Sequence, residues 1–174
     1  PKACPPSKYF KEHPEYFGLV GGRRVGTDEK NPTLCISNPD VQQLMVDELL
    51  RRFDDGADVV QLAQQDGWQF CECEECKKFG GPGAEYIGEK LWILHRQIAE
   101  RILKERPGKA VNIICYSATQ FFIFNPISSA KQLPRIIVLS ERLTLTGDLT
   151  HSTGVMSFIS RKNTNFVFQS TRKI

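Results

Sequence analysis

The fold is decided by residues 38–63, which read NPDVQQLMVDELLRRFDDGADVVQLA. Asn38 is a residue type that caps helices, Pro39 suits the first helical position, and Asp40 complements the positive end of the helix dipole. Gly56 follows, at a position where a left-handed residue commonly ends a helix. The apolar residues between these signals repeat at helical spacing, as Val41, Leu44, Met45, Leu49 and Phe53. The stretch therefore predicts an amphipathic helix followed by a short buried strand.

The same alternation continues on both sides of this helix. Short apolar stretches predict four strands, at residues 33–37, 58–63, 111–116 and 135–139. A second helix is predicted over Glu85–Arg106, between the second and third of these strands. Strands separated by amphipathic helices form parallel β/α units with right-handed crossovers. No glycine-rich phosphate loop follows any predicted strand, which argues against a nucleotide-binding open sheet. We therefore predict an α/β fold: a partial (β/α) TIM-type barrel with parallel strands.

The ends of the chain differ from this middle part. Near the amino terminus, a short helix is predicted at Ser7–Glu12, and residues 16–25 predict a hairpin that turns on Gly21 and Gly22. Residues 1–140 are interpreted as one partial barrel domain. Residues 141–174 show no clear β/α unit and are left as an unassigned tail or an incomplete end of the barrel. The chain starts at Pro1 rather than Met, so we interpret it as an excerpt of a longer protein.

Composition narrows the class of protein. The chain is 40% hydrophobic and 25% charged, which is typical of a globular domain. The formal net charge of +3 arises entirely from residues 141–174, so the main body has no basic excess that would indicate a nucleic-acid partner. No apolar run approaches the roughly 18 residues that a membrane span requires.

The richest group of polar residues follows the predicted strand 58–63. In parallel β/α folds the carboxyl ends of the strands carry the site. Asp66 is the candidate catalytic carboxylate, whereas Gln64, Gln65 and Trp68 are candidate substrate-binding residues, because amides bind hydroxyls and an aromatic face stacks on a sugar ring. The alternative is a turn in which Asp66 braces loop amides and Trp68 packs in the core.

Other strand ends supply weaker candidates. Tyr116 follows the third strand and is a candidate hydrogen-bond donor to substrate, or a buried tyrosine with a satisfied hydroxyl. Glu141 follows the fourth strand and is interpreted as a solvated charge. His95 lies on the apolar stripe of the second helix, where a satisfied core histidine is expected.

Three cysteines form a Cys-x-Cys-x-x-Cys pattern at Cys71, Cys73 and Cys76. Their spacing is compatible with half of a zinc site, for which a fourth ligand is missing nearby. Cys35 and Cys115 are placed in predicted strands. A disulfide between two of the three cysteines, or three reduced thiols, explains the pattern equally well, so all three states stay open here.

Several stretches resemble a known bacterial family, the domain of unknown function 4838. They are residues 9–17, which read YFKEHPEYF, and 21–24; residues 34–39, which read LCISNP; residues 65–76, which read QDGWQFCECEEC; and residues 115–119. This family is similar to glycoside-hydrolase TIM barrels. The resemblance implies a barrel, hydrolase-like machinery near Asp66, a carbohydrate partner and export to the periplasm or the exterior. Family members usually carry Asn where this chain has Gln65.

Three functions are compatible with these observations. The first is a glycoside-hydrolase-like barrel that acts on a carbohydrate, with Asp66 as the acid, base or hydroxyl-holding carboxylate. The second is a carbohydrate-binding barrel without catalysis. The third is a zinc-stabilised interaction module built on the cysteine pattern.

Overall fold

The computed structural model describes residues 2–26, 32–64, 69–81, 86–115 and 136–140. It has a small amino-terminal part and a larger β/α part. The amino-terminal part contains helix α1 (Pro6–Tyr9), a 3-10 helix (Pro14–Tyr16) and strands β1 (Leu19–Val20) and β2 (Arg23–Arg24). The β/α part contains α2 (Pro39–Asp54), β3 (Val59–Leu62), α3 (Glu74–Lys78), α4 (Ile87–Glu105), β4 (Ala110–Cys115) and β5 (Ile136–Ser140).

Helix α2 begins where the capping signals predict. The side chain of Asn38 accepts hydrogen bonds from the backbone N–H groups of Asp40 at 2.9 Å and Val41 at 3.3 Å. Two of the four N–H groups that a helix leaves unpaired at its start are thereby satisfied. At the other end Gly56 has a φ of 101°, a conformation that glycine adopts without strain. Both predicted boundaries are confirmed.

The β/α part is built on a parallel sheet with the order β3-β4-β5. Val60 pairs with Val111 and Leu62 with Ile113, and these four side chains are buried. Helices α2 and α4 pack on this face of the sheet. On the other face of β3, Val59 is 48% exposed. Within the described residues, helices therefore cover one face of β3 and leave the other face exposed.

The predicted hairpin is also confirmed. Strands β1 and β2 pair antiparallel, with Leu19 opposite Arg24. The two residues between them, Gly21 and Gly22, have φ values of 56° and 79°. Both values lie in the left-handed region that a tight two-residue hairpin turn requires.

The prediction of a strand at residues 33–37 is wrong. In the part of the chain that the structure describes, Leu34 is the one residue of this segment that makes a bridge, and it pairs antiparallel with Phe17 rather than with β3. The backbone turns immediately afterwards, because the N–H of Asn38 donates to the carbonyl of Cys35. A short apolar run has the same composition whether it forms a strand of the parallel sheet or a single antiparallel bridge. The segment with which it pairs decides between the two.

The connection between β3 and α4 contains one more element. Helix α3 begins after Cys73, whose side chain accepts a hydrogen bond from the N–H of Cys76. The interpretation of residues 141–174 as a tail concerns a segment that lies outside the described residues. Closure of the sheet into a barrel stays a prediction.

Candidate metal centre

Four cysteine side chains meet at one point in the structure. They are Cys35, Cys71, Cys73 and Cys76, and their four Sγ atoms all lie within 4.8 Å of one another. Cys35, Cys71 and Cys76 are buried, while Cys73 is partly exposed. The cluster contains the three cysteines of the predicted pattern and a fourth that precedes α2. Such a set of thiols can hold a metal ion.

Cys35 is held in place by the amino-terminal part of the chain. Its backbone N–H donates to the carbonyl of Tyr16 at 2.9 Å, directly beside the bridge between Phe17 and Leu34. Its carbonyl accepts from the N–H of Asn38 at 3.2 Å. These two hydrogen bonds fix the backbone on both sides of the thiol, so the thiol occupies a defined position.

Cys71 is held against the hairpin. The N–H of Leu19 donates to the Sγ of Cys71 at 3.3 Å, and the N–H of Glu72 donates to the carbonyl of Leu19 at 2.7 Å. The carboxylate of Glu72 accepts from the N–H of Gly21 at 2.9 Å. The hairpin and the segment that carries the cysteine pattern therefore form one hydrogen-bonded unit.

Cys73 and Cys76 lie at the start of α3. The carboxyl end of this short helix is supported by Lys90 from α4, whose Nζ donates to the carbonyls of Lys77 at 2.5 Å and Phe79 at 3.0 Å. Lys90 is only 4% exposed. A buried ammonium group requires such partners, and here the partners are carbonyl groups that the helix leaves unpaired at its end.

The distances between the sulfur atoms suit a metal ion, and the four cysteines are not joined by disulfide bonds in the structure. The Sγ of Cys35 lies 3.7 Å from that of Cys73 and 3.6 Å from that of Cys76. A tetrahedral ion with zinc–sulfur bonds of about 2.3 Å separates its sulfur ligands by about 3.8 Å. A disulfide requires about 2.05 Å. The four cysteines are free thiols in the structure.

The thiols influence one another's ionisation. Hydrogen bonds from Cys71 and Cys76 lower the pKa of the Cys35 thiol far below its ordinary value. The hydrogen bonds with Cys35 in turn raise the pKa values of Cys71 and Cys76. One thiolate is thus stabilised by the protons of its neighbours, and this is the form of cysteine that binds metals.

Most of the predicted carbohydrate-site residues lie outside the described residues. These are Gln65, Asp66, Trp68 and Tyr116, and Glu141, which was interpreted as a solvated charge, lies outside them too. Gln64 is described, and it lines a cavity of about 260 Å³ together with Gln61 and Ala63 at the carboxyl end of β3. Whether these residues bind or convert a substrate stays a prediction.

His95 is buried, as expected for its place on the apolar stripe. The side chain is 2% exposed, and its Nδ1 atom has no hydrogen-bond partner among the described residues, so the expectation of a satisfied histidine is not met. Burial lowers the pKa of His95 to about 4. The imidazole is therefore neutral at physiological pH, and it lies on the wall of the same cavity.

Cys35 is the member of the cluster that the sequence analysis did not assign as a ligand. Its placement in a predicted strand removed it from consideration. Residues 36–39, immediately after it, carry a turn signal, which indicates that the segment does not continue as a strand. Cys35 is also far in sequence from the Cys-x-Cys-x-x-Cys pattern, so no local spacing indicates that the four cysteines meet.

Comparison with known families agrees with the resemblance. Residues 1–142 match the family described as Domain of unknown function (DUF4838). The chain belongs to this DUF4838 family. No curated protein matches it. The matched range contains all four cysteines of the cluster and every described strand of the DUF4838 chain. Among the described residues, no helix is both long and apolar enough to cross a membrane.

Proposed function

We propose that Cys35, Cys71, Cys73 and Cys76 bind one zinc ion, which stabilises a glycoside-hydrolase-like barrel domain that acts on carbohydrate. The observation that supports the zinc site is the compact set of four sulfur atoms within 4.8 Å of one another. Sulfur ligands in a tetrahedral set select zinc or iron among the common biological metals. An iron–sulfur cluster adds bridging sulfides and several irons between its cysteines, and this set is too compact for that.

The zinc ion has a structural role in this proposal. Four protein ligands complete the tetrahedron, so no position remains for a water molecule or a substrate. Three of the four ligands are buried. A catalytic zinc site instead keeps one position open.

The ion connects parts of the chain that are distant in sequence. Cys35 precedes α2 and hydrogen bonds to Tyr16, while Cys71 hydrogen bonds to Leu19 of the hairpin. Cys73 and Cys76 begin α3, in the connection between β3 and α4. Zinc binding thereby joins the amino-terminal part to the connection that follows β3. Because such a site does not exist in the unfolded chain, the free energy of zinc binding adds to the free energy of folding.

Metal analysis of the purified chain tests this proposal. The chain is produced without an affinity tag that binds metals, kept reduced, and analysed by mass spectrometry for zinc and iron. We expect about one zinc per chain, and a loss of zinc in Cys35→Ser. Cys4→Ser is the matched control, because Cys4 is a buried free cysteine in a different part of the core. A reduced, folded chain without metal, or with iron in place of zinc, would contradict the zinc site.

The carbohydrate function has its own support. Strands β3, β4 and β5 are parallel, and Asp66 follows β3 in the sequence. Parallel sheets are normally covered on both faces or closed into barrels, and the exposure of Val59 is what an incomplete barrel interior would show. These features suit a barrel with its site at the carboxyl ends of the strands.

A glycan panel tests the carbohydrate function independently of the metal. Hydrolysis is measured with the full-length protein that contains this chain, and with its Asp66→Asn variant, which keeps the side-chain shape but removes the charge. We expect hydrolysis that Asp66→Asn lowers by at least about 100-fold, as for removal of a general acid or base. Binding without hydrolysis, unaffected by the substitution, would favour a non-catalytic carbohydrate-binding domain. No binding to any glycan would refute both.

A further inference from the structure

Ser37 lies beside the cysteine cluster without belonging to the predicted ligand pattern. Its Oγ atom is 3.1 Å from the Sγ of Cys76 and 3.5 Å from the Sγ of Cys35. It is also 3.9 Å from the Sγ of Cys73. A single hydroxyl group therefore lies next to three of the four sulfur atoms.

The direction of the hydrogen bond follows from the chemistry of the ligands. A metal-bound cysteine is a thiolate and carries no proton. The hydroxyl of Ser37 must then be the donor. It has one proton, and the sulfur atom of Cys76 is the nearest of the three acceptors.

Donors of this kind are needed at a buried tetrathiolate centre. Four thiolates around Zn²⁺ leave a net charge of about −2, and burial of charge is unfavourable unless hydrogen bonds compensate for it. Cys71 accepts from the backbone N–H of Leu19, and Cys73 accepts from the backbone N–H of Cys76. For Cys76, the side chain of Ser37 supplies a donor. Because this donor belongs to a side chain and the other two belong to the backbone, a substitution can remove it.

We propose that Ser37 is a positioning residue of the metal centre, whose hydroxyl donates to the Cys76 thiolate and fixes it towards the ion. This inference rests on the proposed zinc site. The geometry supports it, because Ser37 is two residues from Cys35 and is followed by Asn38, the cap of α2. The hydroxyl is therefore carried by backbone that is already fixed at both sides.

The test uses the whole chain loaded with Zn²⁺ or Co²⁺. Affinity is measured by competition with a chromophoric chelator, and the cobalt–thiolate charge-transfer band is recorded for the Co²⁺ form. For Ser37→Ala we expect about a 10- to 100-fold loss of affinity, the usual effect of removing a group that orients a metal ligand. We also expect the band to move to lower energy, because a thiolate that loses a hydrogen bond donates its electrons more easily.

Two further substitutions distinguish the effect of losing the hydroxyl group from the effect of changing the size of the side chain. Ser37→Thr keeps the hydroxyl and Ser37→Val lacks it, although the two side chains have nearly the same shape. We expect the Thr variant to keep the affinity and band position of the unmodified chain, and the Val variant to behave as Ser37→Ala does. This pair keeps the inference testable if the Ala variant does not fold. Ser7→Ala is the control, because Ser7 is an exposed residue of α1.

The possible failures are distinguishable. An unmodified chain that binds neither ion refutes the zinc site itself. An unmodified chain that binds metal, with Ser37→Val and Ser37→Thr equal in affinity and in band position, leaves the zinc site standing and overturns the role of Ser37.

Discussion

The Sγ atom of Cys35 lies 3.6 Å from the Sγ atom of Cys76, although the two residues are 41 positions apart in the chain. The segments that carry them belong to different parts of the fold. Cys35 precedes α2, whereas Cys76 lies in the connection between β3 and α4. Their proximity connects the amino-terminal part of the molecule with the carboxyl side of the parallel sheet.

Cys35→Ser is expected to abolish tight zinc binding. A serine hydroxyl does not ionise near neutral pH, so the ion would lose one of its four anionic ligands. We expect the affinity to fall by more than about 100-fold, since removal of groups that only orient a ligand already costs 10- to 100-fold. Isothermal titration with Zn²⁺ measures this. Unchanged affinity would show that Cys35 is not a ligand.

The same substitution is expected to lower the melting temperature only when zinc is present. Cys4→Ser provides the comparison, since burial raises the pKa of the Cys4 thiol to about 11 and keeps it protonated. That variant is expected to retain the zinc-dependent increase in melting temperature. An equal loss of the increase in both variants would indicate a general packing effect.

Lys90→Met is expected to destabilise the chain and to accelerate zinc release. It leaves the carbonyls of Lys77 and Phe79 without the donor that Lys90 provides at the end of α3. Hydrogen bonds to a charged group contribute about 1.5–3 kcal/mol each. The substitution also removes the cost of burying an ammonium group, which offsets part of this loss. We therefore expect the free energy of unfolding to fall by about 2 kcal/mol.

Urea unfolding and the rate of zinc transfer to excess chelator measure the two effects of Lys90→Met. Lys104→Met is the matched control, because Lys104 lies on the same helix and is exposed. Equal stability and equal release rates for the two variants would show that Lys90 does not support α3.

His95 is expected to make the stability depend on pH in the acid range. Burial lowers its pKa from 6.5 to about 4, so between these values the unfolded chain binds a proton that the folded chain does not. Stability therefore rises with pH from about 4 to 6.5 and is lost as pH falls through this range. The contribution approaches about 3 kcal/mol, at 1.4 kcal/mol per unit of pKa.

His95→Leu tests this dependence. The free energy of unfolding of the variant is compared with that of the unmodified chain at each pH. The variant is expected to lose less stability than the unmodified chain between pH 6.5 and 4 in urea unfolding. Acid release of zinc and protonation of Glu48, which lies on the same cavity wall, occur in both proteins and cancel. Parallel curves for the two proteins would contradict the assignment.

Asn38→Ala is expected to cost about 1 kcal/mol of stability, because it removes the acceptor for two N–H groups at the start of α2. Asn38→Asp keeps an acceptor at the same place and is expected to remain within a few tenths of a kcal/mol of the unmodified chain. Thermal or urea unfolding measures both variants. A smaller loss for the Ala variant than for the Asp variant would show that the cap does not stabilise α2.

The sequence by itself determined the elements whose signals are local. Asn38, Pro39 and Gly56 set the ends of α2, and the apolar stripe of the second predicted helix indicated the buried face of α4. Such signals suffice because helix hydrogen bonds and side-chain spacing act over four residues. The alternation of strands and helices likewise predicted the parallel pairing of β3 with β4.

The tertiary structure alone decided which residues meet at the cluster. The sequence showed three cysteines, and the fourth was placed in a strand that does not exist. The position of the cluster depends on the bridge between Phe17 and Leu34 and on the hydrogen bond between Leu19 and Cys71. The bridge joins residues 17 positions apart and the hydrogen bond joins residues 52 positions apart, and no local pattern encodes which segments will pair. Composition predicts that a segment can pair, whereas the packing of the whole chain selects its partner.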